Sequence, residues 1–222
     1  MSFSVLTCLF LLLGAYFLGS IPFGYLAGRW KGVDLRTCGS RNIGATNAGR
    51  VLGKKWGLIV FACDFLKGFF PVLVMRRYLG DSVPEFTYAQ MAWLVGTMLA
   101  VVLGHTYTCF LRFKGGKGVA TCAGALFALS IFIGASALAT WFVFMLVFHY
   151  VSLASMVAAL AMVAAAWYEF CREQPLADSG YLAFGVLTLL ALLVIVKHRS
   201  NLVRLIEGTE AKSWIRQSSK KA

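Results

Sequence analysis

The sequence is poor in acidic residues, and this scarcity argues against metal chemistry. Asp and Glu together number 9 in 222 residues, against 21 Lys and Arg, so the net charge is +12. A metal site needs several ligating side chains close together. The basic segments between the apolar runs hold only three acids, Asp34, Glu207 and Glu210. We therefore expect no metal ion and no other cofactor.

Cysteine and histidine are also too scattered to form a familiar site. The 6 Cys show no CxxC spacing, and none lies at metal-ligand spacing from the 3 His. The G-x-S-x-G pattern, which exposes a nucleophilic serine at a sharp turn, is absent as well. These absences argue against a zinc site, a disulfide framework and a serine hydrolase of that type.

Long apolar runs, rather than polar segments, make up most of the chain. Hydrophobic residues are 59% of the sequence and the mean hydropathy is +0.76, whereas soluble domains are roughly 45–50% apolar. A span needs about 20 apolar residues. The stretch 119–170 is too long for two crossings, and we divide it at Gly134–Ser136 and at 149–155. The sequence therefore predicts spans over 4–28, 57–75, 89–111, 119–133, 136–150, 153–170 and 181–197.

These spans predict an all-α bundle of seven transmembrane helices, with five as the alternative if two are short or re-entrant. We treat 1–222 as one membrane domain with a basic tail over about 211–222. With the N-terminus outside, the inside segments 29–56, 112–118, 149–152 and 197–222 carry 17 of the 21 Lys and Arg. Positive residues favour the cytoplasmic side, so we predict an N-out, C-in topology. The charge then fits a membrane face or an anionic substrate, and we expect no nucleic acid partner.

Three polar clusters fall on this cytoplasmic side. The first, CGSRNIGATNAGR, combines small residues, hydroxyls and amides with positive charge, and a Gly-rich turn entering a helix can bind an anion. The second, RFKGGKGVAT, places two Lys around a Gly pair but lacks the spacing of a phosphate-binding P-loop. The third, KHRSNLVRLIEGTE, sets His198 and Asn201 on one helix face. Each cluster alone could also be an ordinary loop, anchor or cap.

Two opposite charges lie within a predicted span. Asp64 and Lys67 are three residues apart in CDFLKG, and intramembrane charges usually face a partner or a cavity. We expect the two side chains to form a structural ion pair.

Taken together, the ordered motifs GSIPFGYL, GSRNIGATNAGR, DFLKG, GH, FKGGKGVAT, VSLAS and HRSNLVRLIEGTE resemble one family. They are similar to those of the bacterial membrane acyl-phosphate:glycerol-3-phosphate acyltransferases, the PlsY family, from residue 19 to residue 210. The resemblance implies a seven-helix bundle in the bacterial cytoplasmic membrane. It also implies acyl transfer from acyl phosphate to the 1-hydroxyl of glycerol 3-phosphate, giving lysophosphatidic acid and phosphate. No HxxxxD pair, the motif of acyl-CoA glycerolipid acyltransferases, is present.

The resemblance also implies roles for individual residues. The acyl-phosphate loop would comprise Ser40, Asn42, Gly44, Thr46 and Asn47. Glycerol 3-phosphate and the reacting centre would be contacted by Arg50, one of Lys114 and Lys117, one of Ser152 and Ser155, His198 and Asn201. The hydroxyl proton could go to His198 or to a substrate phosphate oxygen, with no covalent acyl-enzyme. The acyl chain would lie between helices open to lipid.

The sequence departs from the family pattern at Arg41, at His149 and in HTYTCFL, which lacks the Pro that often follows the GH pair, and two rival functions are left open. Arg41 stands where the first loop usually has a small residue, and His149 stands where a basic Arg is common. An organic-phosphate transporter would spread polar groups over both membrane faces and show an inverted repeat. A scaffold that binds anionic lipid would leave GSRNIGATN unexplained. The oligomeric state stays open, with a monomer expected.

Overall fold

The computed structural model describes residues 3–80, 86–171 and 178–213, and all regular structure in these ranges is helical. The prediction of an all-α bundle is confirmed. The helices are α1 Val5–Ser20, α2 Phe23–Trp30, α3 Ala45–Val51, α4 Lys54–Leu79, α5 Tyr88–Thr106, α6 Val119–Leu129, α7 Ile131–Phe148, α8 Val151–Cys171, α9 Asp178–Lys197 and α10 Arg199–Ile206.

Six segments in the described ranges are long and apolar enough to cross a membrane. One of them, Val5–Trp30, contains both α1 and α2. The segment is divided into two helices because the backbone is extended at Ile21, immediately before Pro22. Six of the seven predicted spans correspond to these segments. The predicted span 119–133 does not, because α6 has only 11 residues. At 1.5 Å per residue it is about 16 Å long, against a hydrocarbon core of about 30 Å.

The break between α6 and α7 lies at Ser130, not at the predicted Gly134–Ser136. Ser130 takes an extended backbone, and its side chain accepts a hydrogen bond from the Ile133 amide, which caps the new helix. The Ser130 hydroxyl also donates to Glu169 on α8 at 2.6 Å. Gly134 instead stays inside α7, where a Cβ would come within 2.9 Å of the Phe127 ring. Its small size serves packing rather than a chain break.

Glycines bring the helices of the bundle into close contact. A Cβ on Gly68 of α4 would lie 2.0 Å from the Thr121 carbonyl, and one on Gly124 of α6 would lie 2.0 Å from the Phe65 carbonyl. Small residues allow this close backbone approach, which supplies packing energy within lipid, where helices gain little from the hydrophobic effect. The short α6 is thereby held tightly along α4, directly after the glycine-rich segment that reaches the polar cavity.

Candidate active site

One cavity unites segments that are far apart in the sequence. It is lined by the loop before α3 and by α3 itself, the α5–α6 loop, the start of α8, and the α9–α10 junction with the segment after α10. The helix pairs that connect these four segments, α4 with α5, α6 with α7 and α8 with α9, therefore lead away from this end of the bundle and back to it. The predicted site residues that line the cavity are Ser40, Asn42, Gly44, Thr46, Asn47, Arg50, Lys117, Ser152, Ser155, His198 and Asn201.

Of the two lysines left open by the sequence, the structure brings only Lys117 to the cavity. Lys114 is exposed and does not line it. The difference follows from the loop backbone, because Arg112 and Phe113 take left-handed conformations with φ of 52° and 60°. The chain reverses there, so Lys114 remains on the outer turn. Gly115 and Gly116 then donate their amides to the backbone carbonyls of Thr106 and His105.

Asn47 holds the backbone of the first polar loop in place through its side-chain amide. Its side-chain amide nitrogen donates to the carbonyls of Leu35, Cys38 and Asn42 at 3.1, 3.0 and 2.8 Å. Its amide oxygen accepts from the Ser40 amide at 2.8 Å. The side chain is buried, and these bonds occupy both of its N–H donors. In this arrangement Asn47 positions the loop, and it has no donor left over for a ligand.

The rest of the loop presents its polar groups to the cavity. The Asn42 amide oxygen accepts from the Gly44 amide at 2.8 Å, forming a tight turn immediately before α3. Arg41 has a φ of 58° and is exposed, so this position favours Gly for its backbone freedom. The Arg41 side chain, which departs from the family pattern, does not line the cavity.

A chain of hydrogen bonds connects the second and third polar clusters. The Lys117 ammonium donates to the Asn201 amide oxygen at 2.5 Å, and the Asn201 nitrogen donates to a Glu210 carboxylate oxygen at 2.6 Å. The same oxygen accepts from the Ser152 hydroxyl at 2.7 Å. Arg204 donates to the other carboxylate oxygen at 2.7 Å. Glu210 thus binds Ser152 and Asn201, two residues for which the resemblance implies a place around glycerol 3-phosphate and the reacting centre.

The two serines of VSLAS differ in their contacts. Ser152 points its hydroxyl at Glu210, whereas Ser155 donates to the Val151 carbonyl one turn earlier and accepts from the Trp141 indole at 3.2 Å. Both side chains line the cavity and are largely buried. Ser152 is consequently the better placed of the two to exchange a protein acceptor for a ligand.

Arg50 links the first cluster to the segment after α10. Its guanidinium donates to the Ala211 carbonyl at 3.0 Å, and its Nε is buried without a hydrogen-bond partner among the described residues. Burial lowers the pKa of this guanidinium, while the nearby Glu210 carboxylate opposes the shift. An arginine remains charged under such conditions, so Arg50 supplies a fixed positive charge beside the cavity.

His198 is neutral at pH 7. Burial and the Lys117 ammonium lower the pKa of its imidazole to about 4. Its Nδ1 lies 2.8 Å from the Val194 carbonyl, and since a carbonyl only accepts, the proton of the neutral ring belongs on Nδ1. The other ring nitrogen, Nε2, is then an acceptor suited to a hydroxyl proton.

Positive charge exceeds negative charge around the cavity. Burial lowers the pKa of the Lys117 ammonium to about 8, although Glu210 opposes this, so most of it is still protonated at pH 7. For Glu210, burial would raise the carboxyl pKa, but hydrogen bonds from Asn201, Ser152 and Arg204 bring it below its ordinary value. The cations Lys117, Arg50 and Arg204 lie near the Glu210 carboxylate. The other acid that lines the cavity, Asp64, is paired with Lys67, so the excess of positive charge favours anions.

An intramembrane polar cluster borders the same cavity. The predicted ion pair between Asp64 and Lys67 is confirmed, with 2.8 Å between charged atoms. Lys67 also donates to the Ile21 carbonyl at 2.8 Å, which satisfies a group exposed by the break between α1 and α2. His105 Nδ1 lies 3.1 Å from the Thr121 hydroxyl and 3.5 Å from Asp64. Asp64 and His105 both line the cavity.

Two polar residues that line the cavity, Glu210 and His105, have no role assigned by the sequence motifs. The position of Glu210 in GTE, at the end of the third polar cluster, is the sequence signal that points to it. For His105, the GH pair of the ordered motifs is the corresponding signal. His149, the second departure from the family pattern, does not line the cavity. It ends α7 with a φ of 62°, and its carbonyl accepts from the Ser213 amide.

Comparison with known proteins places these features in a family. The profile of the family described as glycerol-3-phosphate acyltransferase matches residues 9–208. The chain is 43% identical to the glycerol-3-phosphate acyltransferase of Synechocystis sp. over 222 residues, covering 99% of this chain and 96% of the relative. It is also 43% identical to that of Aquifex aeolicus over 202 residues, covering 91% and 97%.

Two solved structures show the same architecture. Both are crystal structures of PlsY (YgiH), an integral membrane glycerol 3-phosphate acyltransferase. The glycerol 3-phosphate form gives a TM-score of 0.81 at 41% identity and covers 96% of this chain and 98% of that one. The lysophosphatidic acid form gives 0.79 at 39%, covering 93% and 95%. The chain is therefore an integral membrane protein of the glycerol-3-phosphate acyltransferase family, of the PlsY type.

Proposed function

We propose that this protein transfers a fatty acyl group from acyl phosphate to the 1-hydroxyl of glycerol 3-phosphate, giving lysophosphatidic acid and inorganic phosphate. The observation that carries the proposal is the single cavity in which Lys117 and Arg50 lie near a neutral His198. Both substrates are anions, and the excess positive charge suits them. The solved relatives in glycerol 3-phosphate and lysophosphatidic acid forms agree with this acceptor and product.

The two anions would occupy different sides of the cavity. The phosphate of acyl phosphate would lie against the first loop, at Ser40, Asn42, Gly44 and Thr46, with Asn47 holding the loop in shape. Glycerol 3-phosphate would lie against Arg50, Lys117 and Ser152, close to His198 and Asn201. This division assigns each substrate to a separate set of polar groups.

Binding of glycerol 3-phosphate would have to compete with Glu210. The carboxylate already accepts from Ser152 and Asn201, which are groups proposed to contact the acceptor substrate. A phosphate could draw the Lys117 ammonium and the Ser152 hydroxyl toward itself, while Arg204 keeps Glu210 in place. Such an exchange retains charge balance, because the incoming dianion meets Lys117 and Arg50.

The chemical step needs orientation and charge neutralisation more than a strong base. The 1-hydroxyl oxygen would attack the acyl carbonyl carbon, the bond from that carbon to the phosphate oxygen would break, and phosphate would leave. Holding the reactants together and stabilising the developing charge supply the rate enhancement. With a pKa of about 4, His198 is a weak base, so we assign it the orientation of the hydroxyl. The proton then passes to a substrate phosphate oxygen.

No covalent acyl-enzyme is required in this scheme. Among the described cavity residues, Ser152 donates to a carboxylate and Ser155 to a backbone carbonyl. No serine or threonine of the cavity is hydrogen-bonded to His198 in the described part of the chain, as an activated nucleophile would be. Direct transfer between two bound substrates is the simpler route.

The acyl chain would lie outside the polar cavity. The cavity has a volume of about 140 Å³, well below the range of about 300–1,000 Å³ for sites that enclose a drug-sized ligand. Phe61, Val119 and Trp141 add apolar surface at its border. The fatty chain would pass over these side chains and between helices into the surrounding lipid.

We further propose that residues 1–222 form one membrane domain with an N-out, C-in topology, α6 making a seventh, short crossing. The four segments that build the cavity contain most of the basic residues, which favours the cytoplasmic side of a bacterial membrane. An odd number of passes follows if α6 and α7 together leave this end and return to it. The proposal places substrate entry on the cytoplasmic face.

The test is a reconstitution with purified protein. Acyl phosphate and glycerol 3-phosphate should yield lysophosphatidic acid and one phosphate per acyl group transferred, measured by mass spectrometry and a phosphate assay. Acyl-CoA in place of acyl phosphate should be a poor donor. Equal turnover with both donors would overturn the donor assignment, and turnover of neither would overturn the proposed function.

A further inference from the structure

The short helix α10 has two faces of opposite character. Leu202, Val203 and Ile206 are exposed by 44%, 52% and 80%, and at 100° per residue they share one side of the helix. Asn201 and Arg204 lie on the other side, where both bind Glu210. A helix of this kind, apolar on one side and polar on the other, is suited to lie in a lipid–water interface.

The position of α10 in the chain fixes which surface its apolar side meets. α9 ends at Lys197, and α10 begins at Arg199 with only His198 between them. The exposed apolar residues of α9 include Leu192 and Val196, and those of α10 follow within a few residues. Because α9 is a candidate membrane span, α10 cannot move far from the membrane surface.

Cations at this junction favour an anionic lipid surface. The Lys197 ammonium lies 4.0 Å from the centre of the Tyr107 ring, and Arg199 is exposed at the start of α10. Lys, Arg and Tyr with such amphipathic character are common at the headgroup level of membranes. The charge and the apolar face therefore point to the same occupant, a phospholipid interface.

We infer that α10 lies in the headgroup region of the membrane with Leu202, Val203 and Ile206 in lipid, and that this location holds Asn201 at the cavity and Arg204 against Glu210. The helix has only eight residues, so a change in its tilt at the lipid side moves the polar side as well. Contact of α10 with lipid thereby helps to hold the hydrogen-bonded side chains Lys117, Asn201 and Glu210 in position. This inference goes beyond the transfer reaction, since it concerns how the membrane itself shapes the site.

The first arm of the experiment locates the apolar face without using activity. The photoreactive residue p-benzoylphenylalanine replaces Ile206 in the full chain, reconstituted in vesicles of phosphatidylglycerol and phosphatidylethanolamine. The same replacement at Ser200, exposed on α10 but off the apolar face, is the control. Lipid adducts at position 206 and few at position 200 are expected. Absence of lipid adducts at 206, or crosslinks there to a second copy of the chain, would overturn the inference.

The second arm tests coupling to the cavity. Ile206→Asp should lower kcat/KM for glycerol 3-phosphate at least about ten-fold because a charge is disfavoured in lipid, whereas Ser200→Asp should change it less than about two-fold. Ile206→Met should behave as wild type, and unchanged thermal melting of all three variants shows that they fold. Equal activity of Ile206→Asp and Ser200→Asp would overturn the coupling. A wild-type chain that forms no lysophosphatidic acid would instead count against the proposed function.

Discussion

Replacement of Lys117 by methionine should weaken glycerol 3-phosphate binding far more than the same replacement at Lys114. Lys117 donates to Asn201 at 2.5 Å and lines the cavity, whereas Lys114 is exposed outside it. The two lysines are three residues apart in one glycine-rich loop, so Lys114→Met is a matched control for the loss of one positive charge. Methionine keeps much of the length of the lysine side chain.

The magnitude follows from the interaction that is lost. A hydrogen bond to a charged group is worth about 1.5–3 kcal/mol, which corresponds to roughly 10- to 150-fold in kcat/KM at 1.4 kcal/mol per decade. An exposed charge such as Lys114 should contribute about 1 kcal/mol or less. The assay is lysophosphatidic acid formation by the purified protein at varied glycerol 3-phosphate and saturating acyl phosphate.

The pH dependence of kcat/KM provides a second test of the Lys117→Met variant. With the Lys117 pKa near 8, the ammonium is charged below that value and loses its proton as the pH rises through it. Because kcat/KM reports groups of the free enzyme, it should fall above about pH 8 in the wild type, and Lys117→Met should lack this decline. The neighbouring Arg50 guanidinium stays protonated and the Glu210 carboxylate stays ionised in this range. Equal kinetics of the Lys117 and Lys114 variants, with the decline intact in both, would refute the assignment.

Three further predictions concern the first loop, His198 and the topology. Asn47→Ala removes the amide that holds three carbonyls and one N–H of the loop, so it should raise KM for acyl phosphate and lower the melting temperature together; a change in KM alone would instead indicate direct contact with the ligand. His198→Gln, which keeps a hydrogen-bonding side chain, should retain more activity than His198→Ala, and equal loss in both with binding intact would favour a general-base role. An impermeant thiol reagent should label Cys38 after lysis but not in intact cells, judged by the signal lost in Cys38→Ser; labelling in intact cells would reverse the proposed topology.

The helices were largely predictable because lipid imposes a simple requirement on sequence. Apolar runs near 20 residues located six of the candidate spans, whose backbones must satisfy their own hydrogen bonds. The break after α6 was misplaced because Gly134 and Ser136 resemble a chain break in composition. The actual break depends on Ser130 and its bond to Glu169 on α8, a contact across elements that a linear pattern does not contain.

The candidate site was predictable as a set of residues but not as a network. The ordered motifs identified eleven residues that line one cavity in the structure. They could not choose between Lys114 and Lys117, since that choice depends on the left-handed backbone at Arg112 and Phe113. Nor could they show that Glu210 gathers Ser152, Asn201 and Arg204, because the carboxylate and Ser152 are 58 residues apart in the sequence.

Asn47 shows how a correct motif can suggest an incomplete role. An amide in a loop rich in hydrogen-bonding groups is a natural candidate for a ligand contact. In the folded loop its donors face backbone carbonyls of residues up to 12 positions away, and buried carbonyls need such partners. Its contribution to binding acyl phosphate stays a prediction, now expected to act through the shape of the loop.

The proposed reaction is a direct transfer of the acyl group between two anions bound together in the cavity. Exchange of labelled inorganic phosphate into acyl phosphate, measured with purified protein and without glycerol 3-phosphate, tests this directly. A covalent acyl-enzyme would form and reverse without the acceptor, so exchange would occur at a rate comparable to turnover. Direct transfer predicts no exchange until glycerol 3-phosphate is added. Rapid exchange in its absence would contradict the central claim.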